Sequence, residues 1–165
     1  MSLVGPLEGR FWRILSPRWA HAPLSGEGAA RLGGRWNPPG VKALYLSAEL
    51  ETAVAEYQQE LNTRPGTFVA YDVAGARVAS IVEPRRLREV GLEAGDAVAP
   101  WKEIAWVRKQ TPAGWALFDK LEGRADGLLV PSAQRVGGVN LVLWRWNETG
   151  GPTVSHHDPR EELPR

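Results

Sequence analysis

Cysteine is absent from this sequence of 165 residues. The absence excludes disulfide frameworks, thiolate zinc sites and cysteine nucleophiles, and it fits a reducing compartment. Residues 1–7 lack the basic start and the continuous apolar core of a signal peptide. No apolar run approaches the roughly 20 residues that span a bilayer. We therefore expect a soluble, cytoplasmic protein with no membrane partner.

An excess of charge of one sign is missing as well. Twenty Lys and Arg residues against nineteen Asp and Glu residues leave a formal net charge of +1. Without a clustered basic stripe, this balance disfavours a direct nucleic-acid partner. The basic residues are mostly arginine, whose planar guanidinium suits bidentate contacts to phosphate.

Histidine is too scarce to build a metal site. His156 and His157 are adjacent in a predicted strand and therefore point to opposite faces, and the third histidine is His21. A site with three histidine ligands is not expected, so we predict no bound metal. The sequence also lacks the Gly-x-Ser-x-Gly motif of serine hydrolases.

The remaining pattern predicts one α+β domain over residues 1–165, with its core at about 11–158. Strands and helices alternate without a regular βαβ rhythm, which favours a mixed sheet with flanking helices. Strands are predicted at 11–15, 43–47, 67–73, 78–82, 127–130, 140–146 and 153–156. Helices are predicted at 28–32, 48–61, 84–90, 100–109 and 113–122.

The most unusual segment is Gly-Gly-Arg-Trp-Asn-Pro-Pro-Gly at residues 33–40. Paired glycines let the backbone approach a ligand, and the prolines stiffen the end of the segment. Arg35 supplies a guanidinium that can bind phosphate through two hydrogen bonds. Trp36 supplies an aromatic surface for stacking, and Asn37 supplies an amide that can both donate and accept hydrogen bonds. Taken alone, however, the composition favours a structural turn with an exposed arginine.

Two further segments contain polar side chains beside apolar strands. Tyr45 and Ser47 share one face of a strand, and Ser47 is placed to cap the following helix. Glu56 lies off the apolar stripe of that helix, so helical geometry predicts a solvated carboxylate. Ser132 follows Pro131 at a strand end, where its hydroxyl is expected to bond nearby backbone. Asn140 begins the next strand.

In this order, the three segments resemble the RES domain, a family named for its arginine, glutamate and serine. Residues 33–40 resemble the arginine motif, and residues 43–56 resemble the strand and helix that carry the glutamate. Residues 130–143 resemble the serine motif and the strand after it. Arg13 and residues 23–29 also match the start of the family pattern.

The resemblance implies a fold like that of ADP-ribosyltransferases and the role of a toxin in a bacterial toxin–antitoxin module. Such toxins degrade NAD⁺, some with inorganic phosphate as acceptor, and pair with an Xre-type antitoxin. A toxin homodimer within that complex is expected. ADP-ribosylation of a protein is the alternative reaction, and a non-catalytic protein-binding module is the alternative of another class.

The resemblance also implies roles for individual residues. Glu56 would stabilise the sugar cation formed when the nicotinamide–ribose bond breaks, as carboxylates do in glycoside cleavage. Tyr45 would stack against nicotinamide, and the leaving group is already a cationic pyridinium that needs no metal. Catalysis is thus assigned to Glu56, Arg35 and Ser132, and NAD⁺ binding to Arg13, Arg35, Tyr45, Ser47 and Ser132.

Overall fold

Residues 2–59 and 64–165 are described by the computed structural model, and over these ranges one mixed β-sheet is flanked by short helices. The strands are β1 Val4–Leu15, β2 Leu44–Ser47, β3 Thr67–Ser80, β4 Gly127–Pro131, β5 Val139–Leu143 and β6 Thr153–His156. The α-helices are α1 Glu27–Leu32, α2 Leu50–Tyr57, α3 Pro84–Glu89, α4 Ala94–Val98 and α5 Ala113–Leu121, and a π-helix spans Glu103–Val107. The predicted α+β class is confirmed.

The sheet curls back on itself. Its strand order is β1-β2-β5-β4-β3-β6, and β1 also pairs with β3 along its length, from Val4↔Ala79 to Leu15↔Thr67. The β3–β4 pair is parallel, and the other pairs are antiparallel. In the described chain, β1 and β2 meet only at Trp12↔Ser47. Beyond that pair the two strands separate, and the separation opens a cleft.

Both faces of the central strands are buried. Leu141 and Leu143 of β5 pack in one apolar cluster, whereas Val142 between them packs in a second cluster. This alternation follows from the two-residue period of a strand. The first cluster fills the inside of the curled sheet around Tyr71, and the second lies against α3, α4 and α5. No helix in the described ranges has the length and apolarity to cross a membrane.

Several of the predicted bounds need correction. β3 is one strand through Gly75, where two strands were predicted, because β1 pairs with it on both sides of that glycine. β1 begins at Val4 for the same reason, seven residues before the predicted start. The short helix α4 was not predicted, and the helix predicted at 100–109 is a π-helix over Glu103–Val107. Helix α2 spans Leu50–Tyr57, where 48–61 was predicted, and the predicted end itself, Leu61, lies outside the described residues. β5 ends at Leu143, three residues before the predicted end at Trp146.

Candidate active site

Two adjoining cavities occupy the cleft between β1 and β2 and its continuation toward β4. Their volumes are about 270 and 210 Å³. Tyr45, Glu56, Gln59 and Asn140 line both cavities and therefore mark the place where they meet. The larger cavity is also lined by Trp12, Arg13, Ile14, Ser47 and Arg64. The smaller one is also lined by Arg35, Trp101, Lys102, Pro131 and Gln134.

Glu56 is held at this junction by two neutral donors. Its Oε1 accepts hydrogen bonds from the Ser132 hydroxyl at 2.6 Å and from Asn140 Nδ2 at 2.6 Å. Among the described residues no hydrogen bond reaches Oε2. The prediction of a solvated carboxylate is wrong, because the ends of β4 and β5 cover this side of α2 and leave Glu56 only half-exposed.

Ser132 combines the expected turn chemistry with the contact to Glu56. Its oxygen accepts from the backbone N–H groups of Gln134 and Arg135, each at 3.1 Å. A hydroxyl has one proton and two lone pairs, so those two bonds leave the proton for the carboxylate. The turn after β4 therefore fixes both the place and the direction of the Ser132 donor.

The prediction that Ser47 caps helix α2 is wrong. Ser47 remains in β2, and α2 begins at Leu50 after Glu49, which makes no side-chain cap bond. The Ser47 hydroxyl instead donates to Asn140 Oδ1 at 2.8 Å. Asn140 is the site residue that sequence reasoning did not assign, and its signal is an amide placed directly before the apolar run Leu141–Leu143 of β5.

Arg35 is half-buried rather than fully exposed. Its guanidinium donates to the carbonyl of Ala99, in the segment before the π-helix. Burial lowers the pKa of Arg35, and the negative charge of Glu56 partly opposes that shift. The guanidinium nevertheless stays protonated at neutral pH, because the ordinary pKa of arginine lies far above neutral pH. It therefore supplies positive charge to the smaller cavity.

The segment around Arg35 is fixed by an internal hydrogen-bond network. The Tyr45 hydroxyl donates to Asn37 Oδ1 at 2.7 Å and accepts from the backbone N–H of Trp36 at 3.0 Å. A Cβ at Gly34 would lie 2.5 Å from that hydroxyl. Here the glycine permits an approach within the protein, whereas the sequence suggested an approach to a ligand. Burial raises the pKa of Tyr45, so its hydroxyl remains a donor.

Arg13 brings a second guanidinium to the larger cavity. It is half-buried in β1, and desolvation lowers its pKa, while Tyr71 opposes the shift. Arg64 lines the same cavity. Cations therefore lie on both sides of Glu56, which suits a ligand that carries negative charge. Within residues 2–59 and 64–165, no group of three or more His, Asp or Glu side chains is placed to hold a metal.

A curled mixed sheet whose cleft gathers an arginine, a glutamate and a serine in this arrangement defines the class of protein. The chain belongs to the RES domain family, whose profile matches residues 10–165. The resemblance found in the sequence is thereby confirmed.

Particular relatives carry a more specific name. The chain is similar to the NAD(+) phosphorylase MbcT of Mycobacterium tuberculosis and of Mycobacterium bovis, with 33% identity over 141 residues. The alignment covers 78% of this chain and 69% of each relative. The crystal structure of the M. tuberculosis MbcT–MbcA toxin–antitoxin complex matches with a TM-score of 0.64 and 23% identity, over 94% of this chain and 87% of that chain. At this identity, the structural match is evidence for the fold alone.

Proposed function

We propose that this chain is an NAD⁺ phosphorylase that acts as the toxin of a toxin–antitoxin module. The observation that carries the proposal is the position of Glu56, held through one oxygen by Ser132 and Asn140 between two cavities that carry cations. The 33% identity to proteins named NAD(+) phosphorylase supports the same reaction.

The reaction breaks the bond between nicotinamide N1 and ribose C1′. The bonding electrons leave with nicotinamide, which becomes neutral, and the ribose develops oxocarbenium character. Glu56 Oε2 is available to stabilise that charge, which exists only near the transition state. At about 4 Å and an effective dielectric near 20, such a pair is worth roughly 4 kcal/mol. This corresponds to about a thousandfold in rate.

The rest of the cleft would hold the two ends of NAD⁺. Arg35 would bind the pyrophosphate, and Arg13 would add a second phosphate contact, since guanidinium matches phosphate geometry. Tyr45 would pack against nicotinamide from its position at the junction of the cavities. The proton and both lone pairs of Ser132 are taken by Glu56, Gln134 and Arg135, so Ser132 would serve the reaction by holding Glu56. A cationic pyridinium leaves without help from a metal.

Inorganic phosphate is the proposed acceptor. One phosphate oxygen forms the new bond to C1′ as the bond to nicotinamide breaks, which gives nicotinamide and ADP-ribose phosphorylated at that same carbon. Water in the same position would give free ADP-ribose. A protein nucleophile would give ADP-ribosylated protein. The three acceptors share one site and differ in their products.

The test is NAD⁺ consumption by the purified, antitoxin-free protein, with and without inorganic phosphate, and with products identified by mass spectrometry. We expect rapid loss that depends on phosphate and yields the phosphorylated product. Loss to plain ADP-ribose would make the protein a hydrolase, and labelled protein would make it a transferase. A folded sample that consumes no NAD⁺ under either condition would refute the proposed function and leave the binding-module alternative.

A toxin of this kind must be restrained in its own cell. We propose that it works in the cytoplasm, where NAD⁺ is available, and that an Xre-type antitoxin covers the cleft at Arg35, Tyr45 and Glu56. We further propose a toxin homodimer within that complex. Solution scattering tests the dimer: a monomer at all concentrations, alone and with antitoxin, would refute it.

A further inference from the structure

We propose that Ser47 and Asn140 are positioning residues that orient Glu56 for the reaction, with Ser47 acting only through Asn140. The sequence assigned Ser47 to NAD⁺ binding and gave Asn140 no role. The inference rests on the proposed function, because orientation of Glu56 matters only if Glu56 serves the chemistry. It concerns the line of contacts from the Ser47 hydroxyl through the Asn140 amide to Glu56 Oε1.

The chemistry of the groups fixes the direction of each hydrogen bond. An ionised carboxylate only accepts, so the Asn140 atom that lies 2.6 Å from Glu56 must be the amide nitrogen. The amide oxygen is therefore the atom that lies 2.8 Å from Ser47 Oγ. An amide oxygen has no proton, so the Ser47 hydroxyl must donate. Glu56 thus determines which end of the Asn140 amide is turned toward it, and Ser47 anchors the opposite end by donating to the amide oxygen.

Backbone register places these two residues together. Ser47 of β2 and Asn140 of β5 are direct partners in an antiparallel pair, so their side chains lie on one face at neighbouring positions. Leu46 and Leu141, the next residues, are buried on the opposite face. A shift of one residue would bring those leucines to the polar face, so the core itself protects the register. Ser47 is only 4% exposed, which also limits its access to a ligand.

The consequence for Glu56 is a defined carboxylate plane. Ser132 reaches Oε1 from the turn after β4, and Asn140 reaches the same oxygen from β5. With one donor, the carboxylate can rotate about that bond, whereas two donors from separate elements restrict it. If the Asn140 amide turned over, its oxygen would meet Oε1 and the two acceptors would repel. That repulsion prevents the reversal, while the bond from the Ser47 hydroxyl holds the amide in place, so Oε2 keeps a fixed direction.

A direct contact between Ser47 and NAD⁺ would produce different kinetics from a positioning role. A binding contact made equally in the ground state and the transition state raises KM and leaves kcat unchanged. A residue that orients Glu56 lowers kcat and leaves KM nearly unchanged. Because Ser47 is proposed to act only through Asn140, its removal should have no further effect once Asn140 is gone.

The experiment is a double-mutant cycle on NAD⁺ turnover at saturating phosphate, with Ser47→Ala, Asn140→Ala and the double variant. We expect kcat to fall about tenfold in Ser47→Ala and about a hundredfold in Asn140→Ala, with KM within about twofold of wild type. The double variant should match Asn140→Ala within about twofold. Ser47→Thr keeps the hydroxyl and should recover most of the lost kcat. Ser80→Ala, a strand serine outside the cleft, is the control and should match wild type.

Thermal unfolding separates these effects from loss of folded protein. If Asn140→Ala does not fold, Asn140→Leu replaces it in the cycle, because it nearly keeps the shape and removes the polar atoms that contact Ser47 and Glu56. Additive losses, an increase of KM with unchanged kcat in Ser47→Ala, or wild-type kcat in that variant would overturn the positioning role. A wild-type protein that consumes no NAD⁺ would instead show that the proposed function has failed.

Discussion

Glu56 is surrounded by donors that carry no charge. Ser132 and Asn140 satisfy one of its oxygens, and none of the ion pairs in the described chain includes it. Arg35 is near enough for the two charges to interact, yet its guanidinium bonds the Ala99 carbonyl. An ion pair in contact with Glu56 would compete with a developing sugar cation for the same charge. Neutral donors fix the carboxylate without that competition.

Replacing Glu56 with Gln tests this charge directly. Gln has the same shape, and its oxygen can still accept from Ser132 and Asn140, so the fold should be preserved. We expect NAD⁺ turnover to fall by about a hundred- to a thousandfold. Glu51→Gln is the matched control, because Glu51 is exposed on the same helix and should leave turnover unchanged. The initial rate of NAD⁺ loss is measured for both variants, and thermal unfolding verifies that both are as stable as wild type. A Glu56→Gln rate within tenfold of wild type would contradict the role of this charge.

Tyr45→Phe should reduce stability, because the hydroxyl serves two buried partners. Its loss leaves the backbone N–H of Trp36 and Oδ1 of Asn37 without their partner. Each unsatisfied buried group costs about 1–3 kcal/mol, so we expect a fall of at least 1 kcal/mol in the free energy of unfolding. Tyr57→Phe is the control, since that hydroxyl donates to the Pro65 carbonyl at an exposed site. Urea unfolding measures both, and equal losses would argue against the Tyr45 network.

At the scale of elements, helix α5 supports the Arg35 segment through a close contact at Gly114. A Cβ there would lie 2.0 Å from the Arg35 carbonyl oxygen and 3.0 Å from the Trp36 ring. Gly114→Ala should therefore destabilise the protein by about 1–3 kcal/mol and displace Arg35, with a loss of NAD⁺ turnover. The backbone cannot yield here as a flexible side chain would.

Gly95→Ala is the comparison for that substitution. Gly95 also lies in a helix, α4, but a Cβ there meets no atom within 4 Å. Removing a glycine from a helix should stabilise the protein by about 0.5–1 kcal/mol. Urea unfolding and turnover are measured for the two variants side by side. If Gly114→Ala behaved like Gly95→Ala, α5 would not support the Arg35 segment in this way.

Sequence patterns correctly located the helices and strands that bury a periodic apolar face. They gave wrong bounds where pairing between distant strands decides the structure. The helix Ala113–Leu121 and the strand Leu44–Ser47 lie within about a residue of their predicted bounds. The continuity of β3 through Gly75 depends on β1, which local sequence does not reveal. Helix α4 has five residues, too few for a hydrophobic period to emerge.

The site was predictable only through the order of its motifs. Helical periodicity placed Glu56 in solvent, and turn composition favoured a structural role for Arg35. The family resemblance brought them together with Ser132. The contact of Ser47 with Asn140 joins residues 93 positions apart, and it depends on the register of β2 against β5. No local feature of either segment specifies that register.

At the scale of the whole molecule, the cleft lies where neighbouring strands of the curled sheet share the fewest paired residues. β1 and β2 share one residue pair, whereas β1 and β3 pair along their whole length. A ligand that contacts Arg13 on β1 and Arg35 beyond α1 would link parts of the chain that the sheet leaves apart. The binding free energy of such a ligand would then add to the stability of the folded state.

This linkage can be measured with Glu56→Gln, in which NAD⁺ binds without appreciable turnover. At a concentration of NAD⁺ about 100 times Kd, the folded state gains about 2.7 kcal/mol. For a chain of this size, that gain corresponds to an increase of about 5–10 °C in Tm.

Adding Arg35→Gln to the Glu56→Gln background should abolish most of the increase in Tm, because the proposed pyrophosphate contact is lost. Arg108→Gln, at an exposed pair with Glu103, is the charge-matched control and should leave the increase intact. An unchanged Tm at millimolar NAD⁺ would mean that the cleft does not bind the dinucleotide. A full increase in the Arg35→Gln background would assign the pyrophosphate to other cations.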